Sequence, residues 1–138
     1  MEIKQISVFL ENNAGRLAEV TRVLAGAGIN LRALCIADTA DFGILRLIVN
    51  NSDEALKALK DAGFTTRVSS VAAVEVDDTP GSLAAVMDLF KKTDVNIEYL
   101  YASLEGQSGK AVVIFKLGDH EKGIQILKEN GISMIDSF

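Results

Sequence analysis

Cysteine occurs once in the 138 residues, at Cys35, and histidine once, at His120. A single thiol closes no internal disulfide, which fits a reducing compartment. One histidine and one cysteine do not make an ordinary zinc site. Positive charge is equally sparse: Lys and Arg total 14 against 19 Asp and Glu, the net charge is −5, and the basic residues form no stripe. Binding to a phosphate backbone needs clustered positive charge, so nucleic acid is excluded as a main ligand. No apolar run approaches the ~20 residues of a membrane helix. The start, Met1-Glu2-Ile3-Lys4-Gln5, lacks the basic-then-apolar layout of a signal peptide. The expectation is a soluble, cytoplasmic protein that does not meet a membrane. Phosphate-loop, dinucleotide and nucleophile-elbow motifs are missing too, and no cofactor is expected.

What is present is an ordinary globular composition, 49% hydrophobic and 24% charged. The length permits one domain, or two small ones that share a core. A lone unit of ~65 residues buries only roughly 60% of its unfolded surface and is marginal, so two such units gain by packing.

Residues 3–10 alternate apolar and polar, as in a strand. Leu17, Val20 and Leu24 recur at helical spacing, which predicts a helix from Gly15 to Ala27 with Gly28 as its stop. Residues 29–38 are extended, Thr39-Ala40-Asp41 is a turn, and Phe42 to Val49 is a third strand. Ser52 is the expected cap of a second helix, with Asp53 and Glu54 in its first turn. Leu56, Leu59 and Ala62 continue that helix, Gly63 ends it, and Phe64 to Ser70 is a fourth strand. The order is βαββαβ.

The same order then returns. Gly15 answers Gly81, 66 residues on, as Leu17 answers Leu83, Val20 Val86, Leu24 Phe90, Asn30 Asn96 and Leu34 Leu100. After the second hairpin the offset is 68, pairing Leu47 with Phe115, Leu59 with Leu127 and Gly63 with Gly131. The extra residues fall in Glu105-Gly106-Gln107-Ser108-Gly109, a turn that tolerates insertion. No linker intervenes, and Val71 to Val76 continue from the preceding strand. The expected domains are 1–70 and 71–138, forming one rigid body. Each is an α+β, ferredoxin-like βαββαβ unit with an antiparallel sheet and both helices on one face. Yet Ile44 and Ile48 point away from the face of Leu45, Leu47 and Val49, and Val112 and Ile114 alternate with Val113 and Phe115. Such strands need cover on both faces, which implies that the open faces bury each other, within the chain or across a homodimer.

Two βαββαβ units, each with a strand–x-x-G-x-L–helix turn and an Asn fifteen residues beyond its Gly, resemble the ACT domain. Tandem copies along nearly the whole chain look like the stand-alone double-ACT proteins. The resemblance implies a regulatory module that binds amino acids and does no chemistry itself. The ligand is expected between the strand-one/helix-one loop of one unit and the adjoining strand of its neighbour. Serine-feedback ACT domains carry an Asn three residues before the loop Gly and another at the start of strand two. Asn12 and Asn30 match both; in the second half Asp78 departs and Asn96 matches.

The loop Glu11-Asn12-Asn13-Ala14-Gly15-Arg16-Leu17 can be read in two ways. Its Asn and Gly can serve a tight turn and helix start. Alternatively, main-chain N–H groups from Ala14 to Leu17 receive a carboxylate, with Asn12 and Asn30 on either side of a polar group. The two family matches favour the second reading. Arg16 is either a participant or plain solvated surface. In the second loop, Thr79 is the expected N-cap and Pro80 the first helical residue. Asp77 and Asp78 disfavour a carboxylate there: a like-charge pair at ~4 Å costs on the order of 4 kcal/mol at an effective dielectric of 20. These acids either meet an α-ammonium or form a solvated turn.

Tyr99, Tyr101 and Ser103 share a strand face, opposite in the repeat to Ala33, Cys35 and Ala37. The small residues leave room and the tyrosines offer a wall with polar tips, or else both pack in the sheet. Ile36, Ala37 and Asp38 end the equivalent strand, where Asp38 either receives an ammonium or solvates the turn. Cys35 shows no activating base and reads as a small buried hydrophobe. The candidate ligand-binding residues are thus Asn12, Asn13, Ala14, Gly15, Arg16, Leu17, Asn30, Cys35, Ile36, Ala37, Asp38, Tyr99 and Tyr101. The expected partner is a free amino acid, with histidine, serine and branched-chain acids all compatible, and a regulated enzyme is a possible second partner. Two alternatives stay open. One is a ligand-free subunit docking on a biosynthetic enzyme. The other is an acylphosphatase-like enzyme using Arg16 and Asn30, which rests on fold analogy alone.

Overall fold

The structure is a computed structural model that describes residues 2–38, 41–103 and 108–138, without the side chain of Asp38. The expected turn at Thr39-Ala40 and most of the insertion at Glu105-Gly106-Gln107 lie outside the described residues. The elements run β1 (Ile3–Glu11), α1 (Arg16–Gly26), β2 (Leu31–Asp38), β3 (Phe42–Val49), α2 (Ser52–Asp61), β4 (Thr65–Asp77), α3 (Ser82–Lys92), β5 (Ile97–Ala102), β6 (Lys110–Leu117), α4 (His120–Glu129) and β7 (Met134–Ile135). The chain forms two compact units, one on Lys4–Ser69 and the other on Ser70–Ser137 together with Glu2 and Ile3. The boundary falls inside β4, one unbroken strand of 13 residues.

In the first unit the strands lie in the order β2-β3-β1-β4, and in the second β5-β6-β4-β7. In both, β3 or β6 pairs antiparallel with each of its neighbours. These are two ferredoxin-like sheets of the same connectivity. The repeat extends to detail. Leu34 pairs with Leu47 as Leu100 pairs with Phe115, and the one irregularity of register falls at Leu31/Ala33 and again at Ile97/Tyr99.

Alternation places one face of each sheet against its helices. In the first unit Ile6, Val8, Leu10, Leu45, Leu47 and Val49 meet Val20 and Leu24 of α1 and Ala55 and Leu59 of α2. In the second, Ala72, Val74, Val113, Phe115 and Leu117 meet Val86 and Phe90 of α3 and Ile126 and Leu127 of α4. Phe90 and Phe115 pack edge-on at 5.6 Å between centroids, a favoured aromatic geometry. The opposite strand faces are also largely withdrawn from water: Ala33, Ile48, Val112 and Ile114 are buried, while Ile44 is half-buried.

The start of α2 differs from expectation. Asn51, not Ser52, caps α2, its side chain accepting from the Glu54 N–H at 3.2 Å. The cap must precede the first helical residue in extended backbone, and Ser52 is already inside the helix. Asp119 does the same for α4, accepting from the Lys122 N–H at 3.1 Å.

Candidate functional site

β1 and α1 meet at residues 12–15. Gly15, directly before the helix, has φ 86° and ψ −12° with no capping side chain, and Gly81 before α3 has φ 89° and ψ −12°. This left-handed backbone suits glycine and turns the chain into the helix without covering the first-turn donors. It also displaces the expected cap of α3. Helix α3 starts at Ser82 with Gly81 in the capping position, so Thr79 and Pro80 precede it, and the Thr79 hydroxyl pairs instead with that of Ser82 at 2.8 Å.

Part of the loop's main chain is already satisfied. The Asn12 N–H donates to the Asp41 carbonyl at 3.0 Å, Asn13 to Glu11 at 2.8 Å and Arg16 to Asn13 at 3.3 Å. The N–H groups of Ala14, Gly15 and Leu17 donate to no protein acceptor among the described residues. Beside them opens a cavity of about 230 Å³. Leu10, Glu11 and Gly43 line it from β1 and β3, Asn12 and Asn13 from the loop, Arg16 and Leu17 from α1, and Ile36 from β2. Strand register assembles this wall: Leu10 pairs with Gly43, and Ile36 with the adjacent Leu45. A Cβ at Gly43 would come 3.4 Å from Ile36 Cδ1, so the glycine helps keep the space open. Leu17 and Ile36 are 44% and 50% exposed, an apolar flank next to main-chain donors and two amides.

Arg16 is held rather than solvated. Its Nη1 lies 2.8 Å from Glu19 Oε2, and its guanidinium sits 4.7 Å over the Phe64 ring. It therefore walls the cavity with its charge already engaged. The Glu11 carboxylate accepts from Asn13 Nδ2 at 3.1 Å.

Not every expected residue joins this group. Asn12 lies by Asp41 at one end of β3, whereas Asn30 exchanges main-chain and side-chain bonds with Asn50 at the other. The length of β3 separates them by about 23 Å at 3.3 Å per residue, so within one unit no single small ligand touches both. Cys35 and Ala37 pair with Arg46 and Ile44, which alternate with the core positions Leu45 and Leu47, so both point away from the face of Ile36. Tyr99 and Tyr101 belong to the second unit, where Tyr101 is buried and pairs with Ile114 on the face away from the helices. The side chain of Asp38 lies outside the described residues. Conversely, sequence reading passed over Leu10, Glu11 and Gly43 as wall residues. A lone glycine inside an apolar strand is a signal of close approach, and it marks Gly43.

The second loop has the same backbone and different chemistry. Asp78 N–H donates to the Gly109 carbonyl at 2.9 Å, the counterpart of Asn12 and Asp41. Here Asp77 forms an ion pair with Lys110, and the neighbouring carboxylate raises the Lys110 pKa above its ordinary 10.5. The second unit also carries a cavity of about 530 Å³ along α4, between His120, Ile124 and Lys128 on the helix and Glu2 and Ser70 opposite. Burial pushes the His120 imidazole below its usual 6.5, with Lys116 adding to the shift and Glu2 and Glu121 opposing it. This groove is larger, and the side chains that line it are mostly polar or charged. Among the described residues no group of His, Cys, Asp and Glu is placed to hold a metal, and no helix is long and apolar enough to cross a membrane.

A family model described as an ACT domain pair matches residues 1–137. The crystal structure of protein BT0572 from Bacteroides thetaiotaomicron shares 44% sequence identity with a TM-score of 0.93, covering 98% of this chain and 92% of that one. The ligand-free regulatory subunit of aspartate kinase from Thermus thermophilus superposes with a TM-score of 0.69 at 19% identity, covering 94% and 93%. The corresponding subunit from Thermus flavus gives 0.63 at 19% identity over 94% and 92%. At that identity the likeness is one of fold. No curated protein is similar enough in sequence to match.

Proposed function

The chain belongs to the ACT-domain family, as a pair of such domains, and from that premise we propose that it is a non-catalytic regulatory module that binds a free amino acid at the loop between β1 and α1. The observation that carries this reading is the cavity of about 230 Å³ beside unbonded main-chain donors at the start of α1. A carboxylate placed there meets the N–H groups of Ala14, Gly15 and Leu17 and the positive end of the helix. Asn12 and Asn13 offer amides to the remaining polar atoms, and Leu17 with Ile36 covers an aliphatic side chain. Burial of one such side chain contributes roughly 1.5–3 kcal/mol. The flank therefore favours a branched-chain acid over serine or histidine.

Occupancy acts by population shift. A ligand that prefers one arrangement of a unit or assembly drives the protein towards it by its difference in affinity alone. The readout we assign is a change in homodimerisation or in docking on a biosynthetic enzyme, in the cytoplasm. Regulatory subunits of aspartate kinase with this fold illustrate such a role in other proteins.

Thermal-shift and calorimetric titration against each free amino acid tests the reading. The expected result is a saturable stabilisation by one acid or a few related acids, of about 2.7 kcal/mol at a ligand concentration one hundred times Kd. Silence towards every amino acid overturns it.

A further inference from the structure

Gly43 lies within β3, opposite Leu10, where glycine is costlier than alanine because it loses more backbone freedom on folding. A glycine inside a strand marks a left-handed backbone, a bulge, or the close approach of another group. Gly43 is not among the residues of positive φ, and the pairing of β3 with β1 and β2 is regular at this position. A Cβ there would stand 3.4 Å from Ile36 Cδ1 and 3.6 Å from Ile36 Cγ1, which is ordinary contact. Its chain neighbours apart, it would meet no other described atom within 4 Å. The fold therefore accepts alanine without strain or clash. The second unit has one: the repeat sets Ala111 at this place, opposite Val76 as Gly43 is opposite Leu10. What remains to explain the glycine is a group from outside the chain.

The rim differs together with the floor. Ile36 pairs with Leu45 on the face of Leu10 and is 50% exposed. Its counterpart in the second unit is Ala102, paired with Val113. The first unit thus lacks the methyl on the floor and carries a long aliphatic rim, whereas the second has the methyl and a short rim. Both arrangements stand on the same strand pairing, so the fold does not impose the first. Gly43 and Ile36 line the cavity of about 230 Å³ together with Leu10 and Leu17, so the missing methyl enlarges its apolar side.

We propose that Gly43 and Ile36 gauge the side chain of the ligand, Gly43 leaving the floor on which the branched side chain of valine, leucine or isoleucine rests and Ile36 setting how large that side chain can be. This rests on the amino-acid reading above and adds to it the residues that select among amino acids. A glycine kept for the ligand and not for the fold has a signature: filling it weakens binding and leaves stability intact.

Calorimetry on the full chain with L-alanine, L-valine, L-leucine, L-isoleucine and L-phenylalanine, for the wild type, Gly43→Ala and Ile36→Ala, tests the proposal, alongside thermal melts of each unliganded protein. The wild type should bind a branched acid most tightly. In Gly43→Ala its preference for that acid over L-alanine should fall by about tenfold or more, the value of one methylene in an apolar pocket, with a melting temperature no lower than the wild type's. Ile36→Ala, which lowers the rim, should raise the affinity for L-phenylalanine relative to the branched acid by a similar factor. Unchanged preferences in either folded variant, a marked loss of thermal stability in Gly43→Ala, or tightest binding of any other amino acid by the wild type overturns this proposal while the amino-acid reading stands. Silence towards every amino acid overturns both.

Discussion

Leu117 and Gly123 show what a single residue means only beside its neighbour. Gly123 is buried in α4, and a Cβ there would lie 2.2 Å from Leu117 Cδ1. The repeat sets Val49 and Ala55 at these two places in the first unit, both buried in its core. One methyl or so has moved from helix to strand while the summed volume is held. Gly123→Ala gains up to about 1 kcal/mol in helix propensity, but overpacking costs about 1–3 kcal/mol. A net loss near 1 kcal/mol is expected in urea denaturation. Leu117→Val on its own leaves a small void and also destabilises, by about 0.5–1.5 kcal/mol. The double variant copies the first unit and should recover most of both losses, the non-additivity expected of residues in contact. Arg16 gives the same lesson in the site. Its charge was legible in the sequence, but its ring partner Phe64 is distant in the chain and enters only through packing.

At the scale of elements, the starts of the four helices divide into two kinds that recur in both units. Asn51 and Asp119 close α2 and α4 with side chains, and Gly15 and Gly81 lead into α1 and α3 with left-handed backbone. The first kind satisfies a donor; the second leaves donors open, and it is the second that stands beside the cavity. Among the described residues, nothing apart from the chain neighbours lies within 4 Å of a Cβ built at Gly15 or Gly81, so alanine there meets backbone strain and no clash. Each Gly→Ala substitution should cost about 1–2 kcal/mol by chemical denaturation. Asn, which tolerates this conformation, should cost less at both positions. The strands and helices were readable because apolar spacing is a local property. The capping residues were not, because Asn51 and Ser52 are both good caps and only the backbone angles show which lies outside the helix.

For the molecule as a whole, two titrating groups set opposite limits to stability. Burial holds the His120 pKa below 6.5, so the folded state binds its proton less readily than the unfolded chain. Its contribution is present above about pH 6.5 and is lost as pH falls through the lowered folded value. Lys110 is raised above 10.5 by Asp77, so its contribution is complete below that pH and fades as pH rises through the folded value. Urea midpoints measured from about pH 7.5 to 5.5 should fall more steeply in the wild type than in His120→Gln, which has no proton to gain. The sequence by itself determined the duplicated βαββαβ order, the helix-facing core and the glycine turns, because hydropathy period and glycine's conformational freedom act within a few residues of chain. Only the tertiary structure decided which side chains share a cavity. Strand register sets Leu10 and Ile36 on either side of Gly43, sends Cys35 and Ala37 to the other face, and holds Asn12 and Asn30 a strand's length apart. It also gives Asp77 a lysine where Glu11 has a phenylalanine, a difference between cross-strand partners that no local pattern encodes.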